Sequence, residues 1–209
     1  AGLLLAAAAA ASLPAPARGD LGRELREAAA RADLSAVEAA LAAGAEVDAT
    51  SPESPHWTPL LHAISSHSAG CGQVTQKLLA NGANANFRDM QGQTPLLLAA
   101  RNGLYEVAQQ LVKAGVQNVD PHGIDGTTAL LHAAKWGDAE MARLLIAQRA
   151  DVNRPDLEGN TPLKQAMAGD MKIMEAFGIA DRIFGKKDSG ATGAEADSGG
   201  GAEKSKEEL

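Results

Sequence analysis

Few residues in this sequence are equipped for acid–base, nucleophilic or metal chemistry. Five histidines, His56, His62, His67, His122 and His132, and a single cysteine, Cys71, make up the set beyond the acids. His67 and Cys71 lie four residues apart, a spacing that offers two ligands to a zinc ion or a thiol beside a base. A stable zinc site usually takes four ligands, and no second pair lies nearby. A nucleophile pair wants a third residue to orient the base, and none is apparent. An enzyme built on His67 and Cys71 is therefore the remote alternative to an ordinary polar loop. No Gly-x-Gly-x-x-Gly follows a strand pattern, and there is no Walker loop and no Gly-x-Ser-x-Gly. No catalytic residue, cofactor, metal or small-molecule substrate is expected.

Composition narrows the class of fold that could position such residues. The chain has 209 residues, 45% hydrophobic and 22% charged, but only 3% aromatic. Its core must be aliphatic and rich in Ala, which argues against an aromatic and β-branched sandwich or barrel. One cysteine excludes an intramolecular disulfide framework. A net charge of −7, with no basic run longer than Lys186-Lys187, argues against nucleic acid as a partner.

The two ends differ from the middle. Residues 1–13 are apolar apart from Ser12, too short for a membrane span but the length of a secretory h-region. Ala15-Pro16-Ala17 then fits a small-x-small cleavage pattern, although no basic segment precedes the apolar run. Residues 1–20 are expected to be a signal peptide or an Ala-rich leader. Residues 185–209 hold six Gly, six acids and four Lys, with Leu209 the only large apolar residue, so disorder is expected there. The sequence closes on Lys206-Glu207-Glu208-Leu209, a variant of the C-terminal K-D-E-L retention signal with Glu for Asp. Together the ends point to the lumen of the endoplasmic reticulum, with a retrieval receptor as one partner. The alternative is a cytoplasmic protein whose tail has no retention role.

Between the ends the sequence repeats. Thr58-Pro-Leu-Leu-His-Ala, Thr94-Pro-Leu-Leu-Leu-Ala, Thr128-Ala-Leu-Leu-His-Ala and Thr161-Pro-Leu-Lys-Gln-Ala align, their threonines 36, 34 and 33 residues apart. Thr suits a helix N-cap, and Pro suits the first helical position in three of the four. Ala63, Ala99, Ala133 and Ala166 let paired helices approach closely. A second aliphatic stretch follows in the first three copies, headed by Val74, Val107 and Met141, with apolar residues at i, i+4 and i+5. Gly82 and Gly115 end these stretches where a positive φ is wanted, and Arg149 stands at the corresponding place under some strain. Such a helix pair buries its apolar face only by stacking on copies of itself.

The period and these motifs resemble the ankyrin repeat. The resemblance covers about residues 21–184 as five repeats: an N-terminal cap (21–50), then 56–87, 92–120 and 126–154, and a C-terminal cap (159–184) whose second helix is expected from Lys172 to Phe184. It implies an all-α solenoid of helix-turn-helix units joined by short β-hairpin loops. The family's usual His directly after Thr-Pro-Leu is replaced by Leu61, Leu97, Leu131 or Lys164. His62 and His132 fall one residue later and are not assigned the bridging role. Extra residues lie near 66–72, 50–55 and 121–123. Leu145 to Asn153 also resembles the turn modified by an asparaginyl hydroxylase in cytosolic ankyrin repeats, a pattern nearly built into the repeat.

The function implied is non-enzymatic: a protein-binding scaffold or adaptor with a partner in the concave groove, or, in the cytoplasm, an adaptor or inhibitor subunit. The family's variable contact positions fall in the hairpins on Trp57, Met90, Gln91, Gln93, Ile124, Asp125, Thr127, Leu157, Glu158 and Asn160. At the ends of the first helices they fall on Arg101, Asn102, Lys135 and Trp136. Trp, Met, Ile, Leu and Arg among these are types that carry binding energy when exposed.

Overall fold

A computed structural model describes residues 18–51, 56–169 and 171–178. The leader through residue 17 and the tail, with Lys206 to Leu209, lie outside the described residues. Among the described residues ten α-helices follow in pairs: α1 (Arg18–Ala30) with α2 (Leu34–Ala42), α3 (Pro59–Ser65) with α4 (Cys71–Ala80), α5 (Pro95–Arg101) with α6 (Tyr105–Lys113), α7 (Ala129–Trp136) with α8 (Ala139–Ala147), and α9 (Pro162–Ala168) with α10 (Met171–Ala176). Among the described residues there is no strand, only an isolated antiparallel bridge between His122 and Thr128. None of these helices is long and apolar enough to cross a membrane.

The four threonines do what their position asks. The hydroxyls of Thr58, Thr94, Thr128 and Thr161 accept hydrogen bonds from the amides of Leu61, Leu97, Leu131 and Lys164. Each cap is extended and each helix starts at the next residue. Asp33 and Asp138 cap α2 and α8 in the same way. Each such bond satisfies an amide that the helix itself leaves unpaired.

The core runs as a seam through the stack. Leu60, Leu96 and Leu130 on the first helices are fully buried, and so are Ala63, Ala99, Ala133 and Ala166. Val74, Leu78, Leu111, Met141 and Leu145 on the second helices meet them from the other layer. The N-terminal pair contributes Leu25, Ala29 and Val37. The principal helix contacts are within a repeat or to the next one, as a one-dimensional stack requires.

The second helices end in a common turn. The Ala83 amide donates to Leu78 C=O, and the Ala150 amide donates to Leu145 C=O. The residue before each is left-handed, Gly82 at φ +87° and Arg149 at φ +67°. Arg149 keeps the turn despite its Cβ. Side chains tie successive turns together: Asp48 accepts the Asn84 amide at 3.1 Å, Asn86 the Gln117 amide at 2.9 Å, and Asp120 the Asp151 amide at 2.8 Å.

Two boundaries move relative to the expectations above. Helix α1 begins at Arg18, inside the segment assigned to the leader. Helix α10 ends at Ala176 and is followed by Gly178 at φ +65°, so the helix expected from Lys172 to Phe184 is interrupted by residue 178; residues 179–184 lie outside the described residues. Glycine in a left-handed conformation stops a helix.

Candidate functional site

The hairpin turns preceding α5, α7 and α9 are built around short polar side chains. Asp89 is buried; its Oδ1 accepts the amides of Gln91 and Gln93, both at 2.8 Å. Asp156 does the same for Glu158 and Asn160 at 2.9 and 2.8 Å, and its Oδ2 also accepts Asn160 Nδ2. The turn between them has Gly123 at the corresponding place. A Cβ there would come within 2.8 Å of Asp125 Oδ1. Asp125 takes over, accepting the Thr127 amide at 3.0 Å and hydroxyl at 2.6 Å. Burial works to raise both Asp125 and Asp156, but these hydrogen bonds hold each carboxyl below its usual range.

Backbone bonds link one tip to the next. The Ile124 amide donates to Gln91 C=O and the Leu157 amide to Asp125 C=O, each at 3.1 Å. Met90, Ile124 and Leu157 each precede the turn glycine by two residues and are 71, 74 and 79% exposed.

Two cavities open between successive tips and the first helices behind them. One, of about 290 Å³, lies between the second and third full hairpins and is lined by Gln91, Gln93, Arg101, Ile124, Asp125 and Thr127, with Leu97 and His132. The other, of about 420 Å³, lies one repeat further on and is lined by Asp125, Thr127, Lys135, Leu157, Glu158 and Asn160, with Leu131, His132, Asp156 and Gln165. Ten of the fourteen expected contact residues therefore border this pair of cavities.

The remaining four are placed differently. Met90 is exposed on its tip but borders neither cavity. Asn102 is half-buried, and its Nδ2 donates to Ile64 C=O across the repeat boundary. Trp136 ends α7 and is 69% exposed. Trp57 is half-buried: its Nε1–H donates to Asp89 Oδ2 at 2.8 Å, and its ring meets His62 edge-on at 5.5 Å.

His132 is the central groove residue that the sequence reading passed over, because it sits one place beyond the family's histidine. Its spacing, three residues before Lys135 on one helix, is the signal that puts the two on one face. Burial lowers its pKa. Asp125 opposes that shift, and Arg101 and Lys135 add to it.

The pair His67 and Cys71 borders a separate cleft of about 760 Å³ between α4 and α6. Cys71 is 6% exposed at the first turn of α4. The His67 Nδ1 sits 2.7 Å from Ser65 C=O, within its own loop. Among the described residues no group of three or more His, Cys, Asp or Glu is arranged to hold a metal.

A family model described as ankyrin repeats (3 copies) matches residues 25–122 and 115–177. Relatives include the neurogenic locus notch homolog protein 1 of Xenopus laevis, 37% identical over 95 residues, which are 46% of this chain and 4% of that protein. The transient receptor potential cation channel subfamily A member 1 homolog of Caenorhabditis elegans is 35% identical over 110 residues, 52% of this chain and 9% of that protein. The putative ankyrin repeat protein YahD of Escherichia coli is 40% identical over 77 residues, 36% of this chain and 38% of that protein. The chain thus spans well under half the length of each of these relatives. The threonine caps, the Ala-lined seam, the linked tips and the family match agree: this chain belongs to the ankyrin-repeat family, whose repeats are generic protein–protein interaction modules.

Proposed function

We propose that the array is a non-enzymatic scaffold or adaptor that holds a protein partner along the groove between the hairpin tips and the first helices. The observation that carries this reading is the set of large apolar side chains left in water there. Ile124 and Leu157, which line the two cavities, are 74 and 79% exposed, with Met90 on the neighbouring tip at 71%, while the seam behind them is closed. Apolar residues gathered on one face and rimmed by polar ones mark interaction surfaces. The test is affinity capture from cells with the full chain and with the double variant Ile124→Ser, Leu157→Ser. The partner should be retained by the first and lost from the second, with both chains equally stable. Equal retention by both would sink the groove reading.

The compartment is a separate part of the proposal and is supported by sequence alone. Residues 1–17 read as an entry signal and Lys206 to Leu209 as a retrieval signal, which together favour the lumen of the endoplasmic reticulum. A chain lacking Lys206 to Leu209 should then leak into the secreted fraction. A full chain that stays in the cytoplasm would make it a cytoplasmic adaptor or inhibitor, with the same groove. The enzymatic alternative would rest on Cys71, which is buried, and on His67, whose Nδ1 lies 2.7 Å from Ser65 C=O.

A further inference from the structure

The groove reading leaves open what kind of segment lies on the tips, and the register of the tips bears on it. Met90, Ile124 and Leu157 occupy the same place in three consecutive turns, and backbone hydrogen bonds link each turn to the next. Packed helices lie about 8–10 Å apart, so the three side chains recur at about 10 Å and span about 20 Å. An extended strand presents same-face residues about 6.6 or 13 Å apart, and neither matches. An α-helix rises 1.5 Å per residue, so residues seven apart recur at about 10.5 Å on nearly one face. The drift of about 20° per heptad stays inside an ordinary apolar stripe over two heptads.

Charge adds a direction to the fit. The residue after each apolar tip is Gln91, then Asp125, then Glu158, and Arg101 borders the cavity at the Gln91 end, so negative charge increases toward Leu157. The cavity beside Leu157 is lined by Asp125, Asp156, Glu158 and Lys135, with His132 at its edge and the Lys164 amine 3.1 Å from Gly159 C=O in the same turn. Asp156 is occupied by three donors within its own turn, which leaves Asp125 and Glu158 as the carboxylates with oxygen to offer.

Resting on the groove reading, we infer that the occupant is an amphipathic helix with large apolar residues at i, i+7 and i+14. It lies across Met90, Ile124 and Leu157 and carries a lysine or arginine that reaches Asp125 and Glu158. The helix-in-groove mode reads out such evenly spaced anchors.

The probe is a synthetic three-heptad peptide with Leu at the three anchor positions and Lys beside the last, titrated into the full chain with methyl-labelled Met, Ile and Leu. Binding should shift the methyl signals of Met90, Ile124 and Leu157. A peptide of the same composition with its leucines five residues apart should bind about tenfold more weakly or worse. A peptide with Glu in place of Lys should lose a similar factor, and Glu158→Lys in the protein should recover it. Equal affinity for the two leucine spacings, no binding, or shifts confined to other methyls would each overturn the inference. Loss of the cellular partner in the Ile124→Ser, Leu157→Ser chain without any peptide binding would remove only the helix and leave the groove reading standing.

Discussion

The indole Nε1–H of Trp57 donates to Asp89 Oδ2 at 2.8 Å, across 32 residues of sequence and one repeat boundary. The same carboxylate holds the next hairpin turn through Gln91 and Gln93. One side chain of the first full repeat thus fixes the tip of the second.

Trp57→Phe should therefore destabilise the fold. The ring is kept, but Asp89 Oδ2 is left buried without its donor, at a cost of about 1–3 kcal/mol. A double-mutant cycle in urea with Asp89→Asn should show the two residues coupled. Additive effects would mean that the bond adds nothing.

Trp136 should behave in the opposite way. At 69% exposure, Trp136→Ala should change stability by no more than about 0.5 kcal/mol. Leu130→Ala, in the closed seam, should cost about 2–5 kcal/mol. If Trp136 contacts the partner, its removal should weaken binding by about 2 kcal/mol or more. Unfolding by Trp136→Ala would show that the ring supports the fold.

Arg149→Gly should stabilise. The backbone at φ +67° costs a residue with Cβ about 1–2 kcal/mol, and glycine's greater freedom when unfolded returns part of this. A rise of about 0.5–1 kcal/mol in unfolding free energy is expected from denaturant titration. A fall would show that the arginine side chain contributes more than the turn costs.

Thr128→Ala should cost about 1 kcal/mol, because the Leu131 amide loses its only cap in a buried setting. Thr128→Ser keeps the hydroxyl and should recover most of that loss. Equal loss in both variants would assign the effect to the missing methyl group.

Stability should also depend on pH through the two half-buried histidines. Burial, aided by Arg26, lowers the pKa of His62, and burial is the main cause of the lowered value at His132. In the unfolded chain both titrate near about 6.5. Just below that pH the unfolded chain binds more protons, so stability is full above it and declines as pH falls through it. His132→Gln should flatten this decline in urea midpoints measured on either side. An unchanged slope would show that His132 binds its proton equally well in the folded and the unfolded chain.

Much of this architecture was legible in local sequence because its causes are local. A Thr before Pro caps a helix four residues away at most, and Gly82 needs only its own turn. Even the strain at Arg149 follows from its place in the repeat. The places of the tip residues were legible because each tip repeats its neighbour's backbone. What could not be read depends on which residues face each other across a boundary. The bonds from Trp57 to Asp89 and from Asn102 to Ile64 C=O cross repeat boundaries, and no single repeat shows them. His132 stands one place beyond the family's histidine, and its position bordering two cavities is contained in no single repeat.

The bonds from Ile124 to Gln91 and from Leu157 to Asp125 join tips only to their neighbours, and the helices likewise meet mainly neighbours. Among the described residues, tension applied along such a chain meets mainly ties between neighbours. It peels the stack from an end, one unit at a time, because an end unit is held by one interface and an inner unit by two. A rigid ligand laid over three tips changes that mechanics: it becomes a splint, and the three units it bridges must yield together or not at all.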